Sequence, residues 1–439
     1  MSTAKHDPRD PDDTAAAEGE KDTARLGFRS SGMLGSPLTD TGGHRLPSAP
    51  VFDVDATLRK ARIIVCCGSG GVGKTTSAAA LALRAAELGR SVVVLTIDPA
   101  RRLAQSMGLT ELDNTPRPVP GVSAATMASG GSLDAMMLDM KRTFDEIVVA
   151  HSTPDKAEQI MANPFYQSLS SSFSGTQEYM AMEKLGQLKA NGSWDLVVVD
   201  TPPTRSALDF LDAPQNLGRF LDGRLLRLLL APAKAGGRAY MKMLSVSVMT
   251  VARVFTKVIG AQVLQDVSNF VAALETMFGG FRQRAEETYR LLGAPGTAFV
   301  VVAAPEGAAL REASYFVDRL NEERMPLAGL IVNRVHRTAA PQLTQQRSLA
   351  AAETLEERGE SPTVAAILRV HADRTALAVR EQRLRGRFTS AHPEVPQVEV
   401  SALAGDVHDL DGLRGIGAEL SNGLAAAAPT AADLTHEAG

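Results

Sequence analysis

The chain has 439 residues, enough for one large α/β domain with insertions or for two or three ordinary ones. Its 46 basic and 50 acidic side chains leave a net charge of −4, so nucleic acid is not expected as the main partner. Two cysteines without any Cys-x-x-Cys exclude a structural zinc site, and the lack of a leader or a bilayer-length apolar run predicts a soluble, cytoplasmic protein without a transmembrane segment.

Residues 1–50 mix Asp, Lys, Gly, Ser and Pro without periodicity and cannot bury enough apolar surface to offset ordering entropy, so a disordered tail is expected. Residues 422–439 read the same way, which leaves 51–421 as the folded domain. Its first apolar run, Arg62–Cys67, leads into Cys67-Gly68-Ser69-Gly70-Gly71-Val72-Gly73-Lys74-Thr75-Thr76, and an Ala-rich helical pattern follows from Ser77 to Leu88. Strand, glycine loop and helix in that order, matching G-x-x-x-x-G-K-[ST], predict a phosphate-binding loop. The glycines Gly68, Gly70, Gly71 and Gly73 let backbone N–H groups around Ser69 and Val72 turn onto phosphates, and the helix directs its positive dipole end at them. Lys74 is expected to neutralise charge on the β- and γ-phosphates, and Thr75 to hold Mg²⁺. The adjacent Cys66 and Cys67 read as small core hydrophobes, with a redox or metal role as the alternative.

Further β-branched runs alternate with helical patterns: Ser91–Thr96, Leu196–Asp200, Thr297–Ala303, Leu327–Val332 and Val398–Ser401, with a weaker one near Val122–Met127. Strands apolar on both faces predict an α/β fold, a mainly parallel sheet flanked by helices, with ligands beyond the carboxyl ends of its strands. Two long helical stretches, about 133–190 and 217–292, interrupt the alternation and predict a helical subdomain inserted on the nucleotide side.

Polar residues stand just past the strand ends. Asp98, in Thr96-Ile97-Asp98-Pro99-Ala100, could activate a water against the γ-phosphate, or simply make a turn. Asp200 ends an apolar run and precedes Thr201-Pro202-Pro203-Thr204; in a phosphate-loop protein it would bind Thr75 or a Mg²⁺-ligating water. The second helical stretch holds Leu244–Leu264, with Thr250, Arg253 and Lys257 on one face and Met241, Met243 and Met249 near its start. That pattern fits a groove for a hydrophobic client helix, and equally burial between neighbouring helices.

Together, Gly68–Thr76, Asp98-Pro99-Ala100, Asp200-Thr201-Pro202-Pro203-Thr204 with Leu208, Pro305-Glu306 and Ile331-Val332-Asn333-Arg334 resemble the arsenical pump-driving ATPases and the related tail-anchored-protein targeting ATPases. The resemblance runs from about Ala61 to Leu420 and is weak over the helical insertions. It implies a P-loop ATP hydrolase that uses ATP and Mg²⁺ at a dimer interface. Asp98 would be the hydrolytic carboxylate in a first switch loop, and Asp200 would open the second. Glu306 and Asn333 would line the nucleotide, Asn333 at the adenine. A helix cap or turn for Asn333 and a solvated charge for Glu306 are the competing readings.

The sequence departs from that family where a second lysine follows the first glycine of the loop; here the position is Ser69. In the family this lysine reaches the other subunit's phosphates. Either a lysine-bearing paralogue completes a heterodimer, or Arg101, Arg102 or Arg205 substitutes in a homodimer. The zinc and metalloid cysteines of relatives are missing too. A catalytically weak nucleotide-binding partner subunit and a partition-type ATPase stand as alternatives. Peripheral attachment to the inner membrane face stays open, although Arg253 and Lys257 make a poor basic membrane face.

Overall fold

The computed structural model describes residues 49–98, 102–164, 166–167, 170, 176–202 and 283–422. The expected tails fall almost wholly outside these residues, as do Leu244–Leu264, Pro99–Arg101 and Pro203–Arg205.

Among the described residues, eight strands form one sheet: β1 Ile63–Cys67, β2 Ser91–Thr96, β3 Arg117–Pro118, β4 Ser132–Met137, β5 Leu196–Asp200, β6 Thr297–Ala303, β7 Leu327–Val335 and β8 Gln397–Ser401. Their spatial order is β3-β4-β2-β5-β1-β6-β7-β8, parallel throughout except for the short antiparallel β3 at one edge. Every residue of β1, β5 and β6 is buried, as their largely apolar, Val-rich runs require of strands covered on both faces. Val51 bridges to Gln397, and the Gln397 N–H donates to the Pro50 carbonyl at 2.8 Å, so the described chain enters beside β8.

Helices flank this sheet: α1 Val54–Lys60, α2 Lys74–Glu87, α3 Arg102–Ser106, α4 Met140–His151, α5 Pro154–Ala162, α6 Thr176–Asn191, α7 Gly307–Glu322, α8 Gln345–Glu357, α9 Pro362–Ala391 and α10 Leu410–Asn422. In α2 the alanines Ala78, Ala79, Ala80, Ala82, Ala85 and Ala86 are all buried. Side chains that small let the helix lie close beneath the sheet, and their low entropy cost suits a helix that must start at a fixed point. The buried Leu413, Ile416 and Leu420 of α10 close its other side.

Two expectations need correction. The helical stretch expected from about residue 133 opens with β4, which pairs in parallel register with β2 from Ser91↔Ser132 to Thr96↔Met137. Leu133, Ala135 and Met136 favour helices intrinsically, but burial against the sheet decides their conformation. Conversely, Val122–Met127 is a turn rather than a strand. The Thr126 hydroxyl accepts the Ser123 N–H at 2.9 Å and donates to the Gly121 carbonyl at 3.1 Å, offering the backbone a local alternative to a ladder. Helical structure resumes at α4, so α4, α5 and α6 are the described part of the first insertion; of the second, residues 283–292 are described and helical.

Candidate functional site

Five neighbouring parallel strands, β2, β5, β1, β6 and β7, point their carboxyl ends the same way. Each delivers one of the predicted residues there: Asp98 after β2, Asp200 at the tip of β5, the glycine loop after β1, Glu306 after β6 and Asn333 within the end of β7. Residues dispersed over more than 250 positions thus meet along one edge of the sheet.

The loop after β1 turns through Gly71 and Gly73, at φ of 77° and 92°, and α2 begins at Lys74. Gly68 is required for a different reason: a Cβ there would stand 2.1 Å from the Val302 carbonyl oxygen of β6. The Lys74 ammonium folds back to donate to the Ser69 carbonyl at 2.9 Å. Burial lowers the pKa of Lys74, while the charges of Asp200 and Asp98 act in the opposite direction. Without its carboxylate neighbours a cation in this corner would be much harder to keep.

Asp200 is fully buried. Its Oδ2 accepts the Thr75 hydroxyl at 2.8 Å and the Thr96 hydroxyl at 2.9 Å, whereas Oδ1, equally buried, has no hydrogen-bond partner. Burial raises its pKa to about 6, against the pull of both hydroxyls and of Lys74. A buried carboxylate oxygen left unpaired costs roughly 1–3 kcal/mol or more. The cost makes sense if that oxygen is kept for a bound cation or its water. One hydroxyl and a hard carboxylate oxygen fit Mg²⁺, which binds through few protein ligands and completes its shell with water and phosphate. Among the described residues there is no cluster of three or more His, Cys, Asp or Glu that could hold a metal ion.

Asp98 is half-buried, and its N–H donates to the Thr96 hydroxyl at 3.2 Å, which ties the first loop to the Asp200 corner. Thr201 anchors the start of the second loop through its hydroxyl, 2.7 Å from the Cys66 carbonyl. Cys66 and Cys67 are buried free thiols behind the glycine loop; burial pushes Cys67 up to about 12 and Cys66 well above the ordinary thiol value. Glu306 precedes α7 without capping it, and its side chain is exposed at the rim. Asn333 donates from Nδ2 to the Val72 carbonyl at 2.8 Å. Thr96 and Thr201 are the site residues that sequence reasoning missed. Thr96 becomes meaningful only once β2 stands next to β5, and Thr201 only once β5 stands next to β1; neither motif announces those adjacencies.

The family model described as "Anion-transporting ATPase" matches residues 61–357. Among curated proteins, the chain is 31% identical over 160 residues to ATPase GET3 of Malassezia globosa, covering 36% of this chain and 44% of the relative. It is 30% identical over 182 residues to Protein Rv2184c of Mycobacterium tuberculosis, covering 38% and 40% respectively. With ATPase get3 of Schizosaccharomyces pombe it shares 33% over 158 residues, 35% and 44% of the two chains. In each case the match spans less than half the relative's length.

Proposed function

Because the chain belongs to the anion-transporting ATPase family, we propose that it binds ATP and hydrolyses the β–γ phosphoanhydride as a dimeric switch. The observation that carries this reading is the buried corner where Lys74, Thr75 and the half-satisfied Asp200 converge on a glycine loop. Backbone N–H groups of the loop and the Lys74 ammonium hold the triphosphate and stabilise charge that develops on its oxygens. Thr75 and, through water, Asp200 would hold Mg²⁺, which would supply further charge neutralisation when bound. Asp98 orients a water; the water oxygen attacks the γ-phosphorus, the bond to the β-bridging oxygen breaks, and ADP leaves with that electron pair. The water's proton passes by way of Asp98 to solvent or to the phosphate formed. Asp98 is near enough for its charge to act on both Lys74 and Asp200.

The test is Asp98→Asn, followed by phosphate release and by calorimetric titration with Mg–ATP. Turnover is expected to fall by roughly a hundredfold or more with ATP affinity retained; undiminished turnover would remove Asp98 from the chemistry.

A second reading is favoured by Ser69, a neutral side chain where the family likeness leads one to expect another lysine. On that reading the chain is a weak hydrolase alone and acts with a lysine-bearing paralogue. Brisk turnover by the purified chain alone would exclude it. Handling of a hydrophobic membrane-protein client rests on the family likeness. Among the described residues no helix is long and apolar enough to cross a membrane. Pull-down with an ATP-locked variant, such as Asp98→Asn, tests for such a client by what copurifies.

A further inference from the structure

Asn333 makes two hydrogen bonds that use opposite ends of its amide. Its Nδ2 donates to the Val72 carbonyl in the glycine loop at 2.8 Å, and its Oδ1 accepts the Arg334 N–H at 3.0 Å. The pair determines which way the amide faces, because a flipped amide would set N–H against N–H and oxygen against oxygen. Arg334 itself has a left-handed backbone, φ 62°, uncommon for a residue with a side chain. From the loop side, Gly73 leaves the space: a Cβ there would lie 2.2 Å from Asn333 Nδ2. A glycine at that position therefore serves the Asn333 contact as well as the turn into α2. The link joins β7 to the loop across β6, between residues 261 positions apart.

We propose that Asn333 is a positioning residue for the phosphate loop: its Nδ2–H···O=C bond to Val72 holds the loop in its phosphate-ready shape whether or not a base is bound. One amide hydrogen and one oxygen lone pair of Asn333 stay available for a purine, so the same side chain can join the base end of the nucleotide to the phosphate end. The proposal rests on the nucleotide-site reading above for its biological meaning, but its physical core is a contact within the protein itself.

The experiment compares the wild-type chain with Asn333→Ala, and with Asn333→Ser, which is too short to reach Val72, should the alanine variant fold poorly. Two ligands are titrated in the presence of Mg²⁺: ATP, and inorganic tripolyphosphate, which has no base. Loss of one hydrogen bond of this kind is expected to weaken both by a similar factor, roughly three- to tenfold. Weakening for ATP with tripolyphosphate unchanged would make Asn333 a reader of the base only and overturn the proposal. Independently of any ligand, amide hydrogen exchange is followed over residues 72–78, where the Ser77 N–H donates to the Gly73 carbonyl at 2.9 Å. Exchange there is expected to quicken several-fold in the nucleotide-free variant; unchanged exchange overturns the proposal even if affinities move. If the wild-type chain bound neither ligand, the nucleotide reading would fail, and the exchange comparison would still decide the role of Asn333.

Discussion

Asp55, partly buried, and Asp200, fully buried, are treated in opposite ways. Asp55, in the first turn of α1, takes a two-pronged contact from Arg84 at 2.7 and 3.1 Å and a third hydrogen bond from the Ser421 hydroxyl at 2.7 Å. The Arg84 guanidinium holds its carboxyl below the usual range. Asp200 meets two hydroxyls on one oxygen, nothing on the other, and is pushed up to about 6 by burial. A carboxylate with all its partners ties α1, α2 and α10 together. The carboxylate deprived of them stands beside Thr75 at the proposed Mg²⁺ corner. In this pair the saturated contacts go with architecture and the shortfall with the proposed chemistry.

That contrast can be broken most severely at Lys74. Lys74→Ala is expected to cut ATP turnover by roughly 100- to 1000-fold, read as phosphate release, while Asp55→Ala leaves turnover unchanged. Next comes Asp200→Asn, expected to weaken Mg–ATP binding about tenfold or more and to remove one component of the stability–pH curve. Between pH 4 and 6 the folded wild type keeps a proton on Asp200 that the unfolded chain has released. Its stability should therefore fall as pH rises through that window and level off above it, by up to about 3 kcal/mol. Urea melts of both proteins from pH 4 to 7 isolate this slope as a difference. Asp55 contributes with the other sign: its stabilisation is present at neutral pH and fades as acid protonates it below its ordinary value of 3.8. Asp55→Ala should cost about 1 kcal/mol at pH 7, since the pair is only partly buried, with no change in nucleotide affinity. The smallest effect is expected for Thr96→Val, which removes one hydroxyl from Asp200 and should change Mg–ATP affinity no more than a few-fold. If Asp55→Ala disturbed nucleotide binding as much as Asp200→Asn, the distinction drawn between the two carboxylates would fail.

The site was legible in the sequence to the extent that its chemistry is local. The glycine loop, Asp98 and Asp200 announce themselves through strand, turn and helix order within a dozen residues of each position. The central strands were legible for the same reason, being unbroken apolar runs. β4 was not, because Leu, Ala and Met carry helix preference and the strand exists through its pairing with β2. Thr96 and the contact of Asn333 with Val72 were illegible in kind: both depend on which strands are neighbours, and strand order is a property of the folded sheet.

The sulfur pair on β1 has a practical corollary. Two thiols sealed in the middle of the sheet and held far from ionisation are shielded from iodoacetamide and from oxidants as long as the strands stay paired. Alkylation can advance no faster than the strands part, so its rate gauges opening events without any added dye. Slower labelling in the presence of ATP would measure how much the ligand tightens the whole central fold.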